Sequence, residues 1–204
     1  PIQQAVIPAV LAASDVLGIA QTGSGKTAAY VLPLLQLLVQ SPTRSDRRVR
    51  ALVLVPTREL ASQVAESVRM LSRFLAVPPR LVALFGGVSI NPQMMRLRGG
   101  ADIVVATPGR LLDLADKNAV ALDAVQWLVL DEADRMLDAG FADELARVLA
   151  LLPPRRQTLL FSATMPAAVE SLAQALLREP LRVQIADDAQ NVPDIVQRCI
   201  AVDP

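Results

Sequence analysis

Residues 20–27 read Ala20-Gln21-Thr22-Gly23-Ser24-Gly25-Lys26-Thr27. They follow an apolar run and precede an expected helix, which is the context in which phosphate-binding loops occur. Gly23 and Gly25 can adopt backbone angles closed to other residues, so that successive amide N–H groups turn inward at the positive end of the helix dipole. A simple glycine turn is the weaker interpretation, although the strict loop pattern has glycine where this chain has Ala20.

The same loop supplies the side chains that a magnesium nucleotide needs. Lys26 is placed to reach the β and γ phosphates, and the Thr27 hydroxyl is placed to ligate Mg²⁺. Lys26 and Lys117 are the only lysines of the chain, so Lys26 stands apart from an arginine-rich background. We therefore expect the phosphates to be bound by Gln21, Thr22, Gly23, Ser24, Gly25, Lys26 and Thr27.

Short apolar runs recur along the chain, separated by stretches long enough for a helix. The runs span residues 15–20, 51–55, 81–85, 102–106, 127–130, 158–161 and 181–185. Because they are uniformly apolar and do not alternate, they predict parallel strands that are covered on both faces. We expect a doubly wound α/β fold with a mainly parallel sheet of about seven strands, whose ligands bind beyond the carboxyl ends of the strands.

A second polar group follows the run at 127–130 and reads Asp131-Glu132-Ala133-Asp134. An aspartate at this strand end would lie beside the phosphate loop and could hold Mg²⁺, a role that we give to Asp131. We expect Glu132 to act as the general base or to position the attacking water. Acidic residues alone would indicate only the first turn of a helix. The loop upstream favours the catalytic interpretation, with Lys26, Asp131 and Glu132 as the catalytic residues.

Composition limits the kinds of partner that the chain can have. It is 52% hydrophobic and 20% charged, which predicts a globular domain. The formal net charge is zero, so any contact with nucleic acid must be local. No apolar run approaches the ~20 residues of a membrane span. One cysteine, Cys199, and no histidine leave neither an internal disulfide nor a zinc cluster, and we expect a cytoplasmic protein.

Domain boundaries are expected where the composition changes. Residues 1–185 contain the seven apolar runs given above and are predicted to form one domain. Residues 186–204 are polar at first and then apolar again at Ile195–Val202. We interpret this second range as a linker and the start of a further domain.

The arginine-rich segment at residues 41–50 could contact RNA, but a solvated loop is the interpretation that we favour, and we assign no role to Arg44, Arg47, Arg48 or Arg50.

Together these motifs resemble those of the DEAD-box RNA helicases, most closely the bacterial ones. The resemblance covers nearly the whole chain and rests on motifs in the family order, which are Pro1-Ile2-Gln3, the phosphate loop, Pro56-Thr57-Arg58-Glu59-Leu60-Ala61, Gly86-Gly87, Thr107-Pro108-Gly109-Arg110, Asp131-Glu132-Ala133-Asp134 and Ser162-Ala163-Thr164. It implies an N-terminal RecA-like domain that uses ATP and Mg²⁺, binds RNA, and works with a second RecA-like domain of the same polypeptide.

The resemblance also implies roles for single residues. Gln3 would read the adenine edge with its amide. Ser162 and Thr164 would bond to Asp134 and couple the ATP site to RNA-driven closure. The residues expected to contact the RNA backbone are Pro56, Thr57, Arg58, Gly86, Gly87, Thr107, Pro108, Gly109 and Arg110. Helix starts at Thr57 and Thr107 would turn hydroxyls and free amides outward, and such contacts carry no base identity.

The family's arginine finger lies on the second domain, and a finger contributes ~10³–10⁵ to the rate of phosphoryl transfer. We therefore expect this chain to be monomeric, to bind adenine nucleotide, to hydrolyse ATP slowly and not to unwind RNA. Two alternatives remain open. One is a non-catalytic RNA- or protein-binding module with a structural nucleotide, and the other is a DNA helicase of the same superfamily.

Overall fold

The computed structural model describes residues 2–41 and 48–185. Their helices are α1 (Ile2–Leu11), α2 (Lys26–Gln40), α3 (Arg58–Ser72), α4 (Asn91–Leu97), α5 (Pro108–Asp116), α6 (Ala133–Asp138), α7 (Ala142–Ala150) and α8 (Ala167–Leu176). Their strands are β1 (Val16–Ile19), β2 (Ala51–Leu54), β3 (Leu81–Leu84), β4 (Ile103–Ala106), β5 (Trp127–Leu130), β6 (Gln157–Ser162) and β7 (Leu181–Gln184). Pro1, Arg44, Arg47 and the predicted linker and domain start at 186–204 lie outside the described residues.

The strands form one sheet in the order β3-β4-β2-β5-β6-β1-β7, and every neighbouring pair is parallel. Each observed strand end lies within one residue of its predicted position. The predicted doubly wound α/β fold is therefore confirmed, including the parallel direction of the strands. In such a sheet a helix returns the chain to the same edge after each strand.

Two apolar cores lie on opposite faces of this sheet. In β5, Leu128 and Leu130 belong to one core, while Trp127 and Val129 belong to the other. Helices α1, α2 and α3 cover the second face, and α5, α6, α7 and α8 cover the first. Because both faces are covered, β2, β4 and β5 are buried along their whole length, as uniformly apolar runs predict.

The edge strand β7 departs from this pattern. Only Val183 is buried among its four residues, although the run at 181–185 was expected to be covered on both faces like the others. The physical reason is position, since β7 is at the edge of the sheet and, among the described strands, pairs with β1 alone. In the described part of the chain, none of the helices is long and apolar enough to cross a membrane.

The parallel arrangement brings the polar segments to one edge of the sheet. The phosphate loop follows β1, Pro56 follows β2, and the glycines at 86 and 87 follow β3 after one residue. Thr107 follows β4, and the acidic quartet follows β5. This carboxyl edge is where open α/β sheets bind their ligands.

Candidate active site

The phosphate loop joins β1 to α2 with the backbone that its glycines predict. Gly23 has φ +85° and Gly25 has φ +88°, both in the left-handed region. Gly25 directly precedes Lys26, the first residue of α2, so the loop amides lie at the positive end of a 15-residue helix. A Cβ at Gly25 would also lie 2.5 Å from Nε2 of Gln3, so a side chain there has neither the backbone angle nor the space.

Two residues that were predicted to bind ATP contact this loop directly. The Lys26 ammonium is buried and donates to the Ala20 carbonyl on the other side of the loop. Gln3, on α1, donates from Nε2 to the Gly25 carbonyl over 3.3 Å. The start of α1 is thereby held against the loop, which brings the expected adenine reader and the expected phosphate binder to the same place.

The carboxylate of Asp131 lies at the end of β5 and is only 2% exposed. Its Oδ2 accepts from the Tyr30 hydroxyl over 2.8 Å, and its Oδ1 accepts from the Glu132 amide over 3.0 Å. Lys26 is near enough for its charge to act on this carboxyl. The structure therefore brings the phosphate loop and the acidic quartet together, although β6 lies between β1 and β5.

Burial is the main influence on how Asp131 ionises. It raises the pKa of Asp131, and it outweighs the Tyr30 hydrogen bond and the Lys26 charge, both of which act in the opposite direction. Burial makes the ionised form of Asp131 unfavourable. A cation bound beside the carboxylate, without displacing its hydrogen bonds, would stabilise that ionised form. Thr27 and Asp131 offer a hydroxyl and a carboxylate, which are the hard oxygen ligands that Mg²⁺ prefers beside substrate phosphates. The residues present thus fit the predicted magnesium nucleotide.

Glu132 has a backbone conformation that is unusual for its residue type. Its φ and ψ are both 53°, in the left-handed region, and it directly precedes α6. Its side chain is buried, and Oε2 accepts from Arg135 Nη1 over 2.8 Å. Strained backbone of this kind persists only where the surroundings hold it, and it is concentrated at functional sites.

Asp134 is bound by the segment that follows β6. The Thr164 hydroxyl and amide both donate to Asp134 Oδ2, over 2.8 Å and 2.9 Å, and the Asp134 amide donates to Ser162 Oγ over 3.3 Å. Burial raises the pKa of Asp134, but the hydrogen bonds from Thr164, the Arg135 amide and Ser162 outweigh it and leave the pKa below its usual value. The expected contact between Asp134 and the residues at 162–164 is present.

The segments expected to bind RNA lie at the same edge, but not every group faces outward. Thr57 caps α3, and its hydroxyl accepts from the Leu60 amide over 3.2 Å. Thr107 is buried, and its amide donates to the Leu84 carbonyl over 2.9 Å. The helix starts expected at Thr57 and Thr107 are present, but the Thr57 hydroxyl is used by the helix cap and the Thr107 amide by β3. The first turn of an α-helix is where amides lack a backbone partner, so the first turns of α3 and α5 are where such donors are expected.

The glycines of these segments are open to a ligand. A Cβ at Gly86 or Gly109 would meet no atom within 4 Å, and Gly87 has φ +74°. Arg58 lies over the Phe85 ring, with Cζ 5.9 Å from the centroid. Backbone without side chains next to a guanidinium is suited to close approach by a phosphate group.

Arg110 connects two of the segments. Its Nη2 donates to the Val88 carbonyl over 2.9 Å, and its Nε lies 3.5 Å from the Asp113 carboxylate. Nε and Nη1 are buried and make no hydrogen bond within the protein. This guanidinium is therefore held in place between the Val88 carbonyl and the Asp113 carboxylate. Pro56 and Pro108 are both buried and pack beneath the surface of the edge.

Sequence reasoning missed two residues that shape the site. Tyr30 was absent from the predicted set because an aromatic residue in a mainly apolar helix indicates core packing. Gln93, on α4, was absent as well, but its amide group pairs with the Phe85 amide and carbonyl over 3.0 Å and 3.1 Å. Gln93 thereby holds the start of the loop that carries Gly86 and Gly87. No local sequence signal marks either contact.

The two described arginines of the segment at 41–50 form ion pairs. Arg50 is buried, and its Nη2 donates to Asp102 Oδ1 over 2.9 Å. Arg48 pairs with Asp123 on the surface. These contacts lie at the amino ends of β2 and β4, away from the site. The interpretation of a solvated loop is wrong for Arg50, because its ion pair with Asp102 is part of the packed fold.

Comparisons with known proteins identify close relatives. The DEAD/DEAH box helicase family model matches residues 1–172. The ATP-dependent RNA helicase DeaD of Haemophilus influenzae is 45% identical over 199 residues, which are 98% of this chain and 32% of that protein. The ATP-dependent RNA helicase DbpA of Escherichia coli is 48% identical over 198 residues, which are 97% of this chain and 42% of that protein.

Solved structures agree with the sequence relatives. The yeast DEAD-box splicing factor Prp28 superposes with a TM-score of 0.85 at 37% identity, over 91% of this chain and 45% of that chain. A hypothetical ATP-dependent RNA helicase from Sulfolobus tokodaii superposes with a TM-score of 0.80 at 38% identity, over 90% of this chain and 52% of that chain. This chain therefore spans about half or less of the length of each of these four proteins.

Proposed function

Since the chain belongs to the DEAD/DEAH box helicase family, we propose that it is the ATP-binding domain of an ATP-dependent RNA helicase. The observation that carries this proposal is the meeting of the phosphate loop and the acidic quartet at one edge of the sheet. The Tyr30 hydroxyl joins the helix that follows the loop to Asp131 over 2.8 Å. A triphosphate on the loop amides would therefore extend toward Asp131 and Glu132.

Each residue of this site then has a defined task. The loop amides and Lys26 would hold the phosphates, and Thr27 and Asp131 would hold Mg²⁺, which would supply positive charge to stabilise phosphoryl transfer. Glu132 orients the attacking water and accepts its proton. Its hydrogen bond with Arg135 supports this task, because it holds the carboxylate in one orientation.

Adenine recognition is assigned to Gln3. Its Nε2 donates to the Gly25 carbonyl, which positions the amide group beside the loop. The carbonyl oxygen of the same amide then accepts from the exocyclic amino group of adenine, a contact that guanine cannot make in that orientation. The base would therefore lie over the start of α1.

RNA is the proposed macromolecular partner, bound through its backbone. Open glycines at positions 86 and 109 and the Arg58 guanidinium support phosphate contacts at the carboxyl edge. Such contacts do not depend on base identity. The bonds between Asp134 and Thr164 would transmit the position of the segment after β6 to the ATP site.

We further propose that a second RecA-like domain supplies the arginine finger. The 204-residue chain alone would then be a cytoplasmic monomer that binds ATP or ADP, hydrolyses ATP slowly and does not unwind RNA. Rapid turnover that RNA stimulates in this chain alone would contradict the proposal.

Nucleotide binding is tested by thermal unfolding and calorimetry with Mg²⁺ and ADP. Ligand at ~100 times its Kd should stabilise the fold by about 2.7 kcal/mol, and each kcal/mol raises the Tm of a domain of this size by about 2–4 °C. Lys26→Ala should abolish most of this shift. Lys117→Ala, which alters the only other lysine, is the matched control and should retain the shift.

The catalytic assignment needs a longer chain that carries both RecA-like domains. There, Glu132→Gln should retain binding of ATP and RNA but stop hydrolysis, because the neutral amide cannot accept the proton of the attacking water. Unaltered turnover would refute the role of Glu132. In the unsubstituted protein, ATPase stimulation by RNA supports an RNA helicase, whereas stimulation by DNA alone would favour a DNA helicase.

A further inference from the structure

Tyr30 occupies the helix face that points into the proposed magnesium site. It lies three residues after Thr27 and four after Lys26 on α2, so the three side chains share one side of the helix. Its side chain is completely buried. Its hydroxyl donates to Asp131 Oδ2 over 2.8 Å. The hydroxyl therefore contacts one of the two residues that are assigned to Mg²⁺, and Thr27, the other, lies about one turn before Tyr30 on the same helix.

The Asp131 carboxylate depends on this hydroxyl for its orientation. The Glu132 amide donates to its other oxygen, so each oxygen accepts one hydrogen bond. Together the two bonds fix the orientation of the carboxylate plane. Within residues 2–41 and 48–185, Tyr30 is the only side chain that donates a hydrogen bond to Asp131. Two lone-pair positions of the carboxylate remain for a metal ion or its water.

The packing of the Tyr30 ring fixes the position of its hydroxyl oxygen. The Tyr30 ring lies 5.4 Å from the Phe161 ring, and both rings are fully buried in the core on the α2 face of the sheet. A ring in such a core keeps one rotamer. Phenylalanine would occupy the same volume without the hydroxyl, so packing alone does not account for a tyrosine here.

We propose that Tyr30 is a positioning residue, whose hydroxyl orients Asp131 for Mg²⁺ in the nucleotide complex. The inference rests on the proposed function, because it concerns the same site. Groups that hydrogen-bond to metal ligands fix the ligand geometry, and their loss typically lowers metal affinity or activity by about 10–100-fold.

The test compares Tyr30→Phe with the unsubstituted chain. ADP affinity is measured by calorimetry in EDTA and again in saturating Mg²⁺, and the ratio of the two dissociation constants reports what the metal adds. In Tyr30→Phe this ratio should fall about tenfold. The affinity in EDTA should stay within about twofold, as expected when a substitution does not reach the contacts made by the metal-free nucleotide. Ser67→Ala removes a surface hydroxyl bond on α3 and should change neither value.

A double-mutant cycle with Asp131→Asn identifies the residue through which Tyr30 acts. If Tyr30 works through Asp131, Tyr30→Phe should change the ratio much less when Asp131 is already asparagine. An unchanged ratio in Tyr30→Phe overturns the inference, and so does an equal loss of affinity in EDTA and in Mg²⁺, which is the result of a purely structural role. Failure of the unsubstituted chain to bind ADP in either buffer would instead overturn the proposed function.

Discussion

Two adjacent residues of the site are held in states that the fold alone would not favour. Asp131 is a carboxylate buried at the end of a strand, and Glu132 has a left-handed backbone conformation. The three other described non-glycine residues with positive φ are exposed turn residues, whereas Glu132 is buried. Unfavourable states of this kind are expected where function requires them.

Asp131→Asn should stabilise the nucleotide-free fold at neutral pH. Burial raises the folded-state pKa, so the contribution of Asp131 to stability is complete below its unfolded pKa and is lost as pH rises through the folded value. Above both values the folded chain must bury a charge, and asparagine removes that cost. We expect a gain of about 1 kcal/mol, or ~2–4 °C in Tm.

The measurement is thermal unfolding of both proteins in EDTA at pH 7 and at successively lower pH. The gain should shrink as pH falls toward the ordinary aspartate pKa of 3.8 and disappear below it. Asp116→Asn, at an exposed ion pair with Arg147, should change little at any pH. A less stable Asp131→Asn at pH 7 would show that the carboxylate is better solvated than its burial indicates.

At the scale of elements, Asp15 joins three strands at the edge of the sheet opposite the site. It is buried just before β1, where Oδ1 accepts from the Thr158 amide of β6 and Oδ2 accepts from the Arg178 amide ahead of β7, both over 2.8 Å. One side chain thus satisfies two backbone donors that the sheet ladder leaves unpaired. The edge strand β7, with little buried surface, depends on this contact.

Asp15→Ala should destabilise the fold, because a buried amide without a partner costs about 1–3 kcal/mol. We expect a loss of about 2 kcal/mol or more in the free energy of urea unfolding. Hydrogen exchange of the Thr158 and Arg178 amides should accelerate as well. Asp116→Ala is the surface control and should stay within about 0.5 kcal/mol of the unsubstituted chain. An equally small effect of Asp15→Ala would mean that water replaces the carboxylate.

At the scale of the whole molecule, burial is greatest at the centre of the sheet and lowest at β7. Strand β5 is fully buried between both cores, and its neighbours β2 and β6 are fully buried too. Asp131, which we propose binds Mg²⁺, therefore extends from a strand that is buried along its whole length. The phosphate loop, one strand away beyond β6, is an exposed turn through residues 21–23. The acidic quartet thus follows a fully buried strand, whereas the phosphate loop across the site is exposed to solvent.

Native-state hydrogen exchange should reproduce this gradient. The amides of Leu128 and Leu130 in β5 should exchange only through global unfolding, because both cores must open to expose them. The amides of Leu181 and Ile185, which bond to the β1 side, should exchange faster through local opening of the edge. Equal protection in β5 and β7 would contradict the gradient and indicate a single cooperative unit.

Much of the fold could be predicted from residue patterns because its causes are local. Uniformly apolar runs are compatible with parallel strands buried on both faces, and the seven runs became the seven strands. Gly23 and Gly25 have the positive φ that their position required. The carboxyl-edge location of the polar segments followed from strand direction alone. The roles of the site residues in binding and catalysis remain predictions.

Contacts between distant residues were decided only by the tertiary structure. Tyr30 and Asp131 are 101 positions apart, and nothing near either residue in the sequence indicates that a hydroxyl in one core meets a carboxylate at the end of β5. The same applies to Gln93 beneath the glycine loop and to Thr107, whose amide the neighbouring strand uses. Side-chain partners depend on how helices pack over the sheet, and packing is a property of the assembled chain.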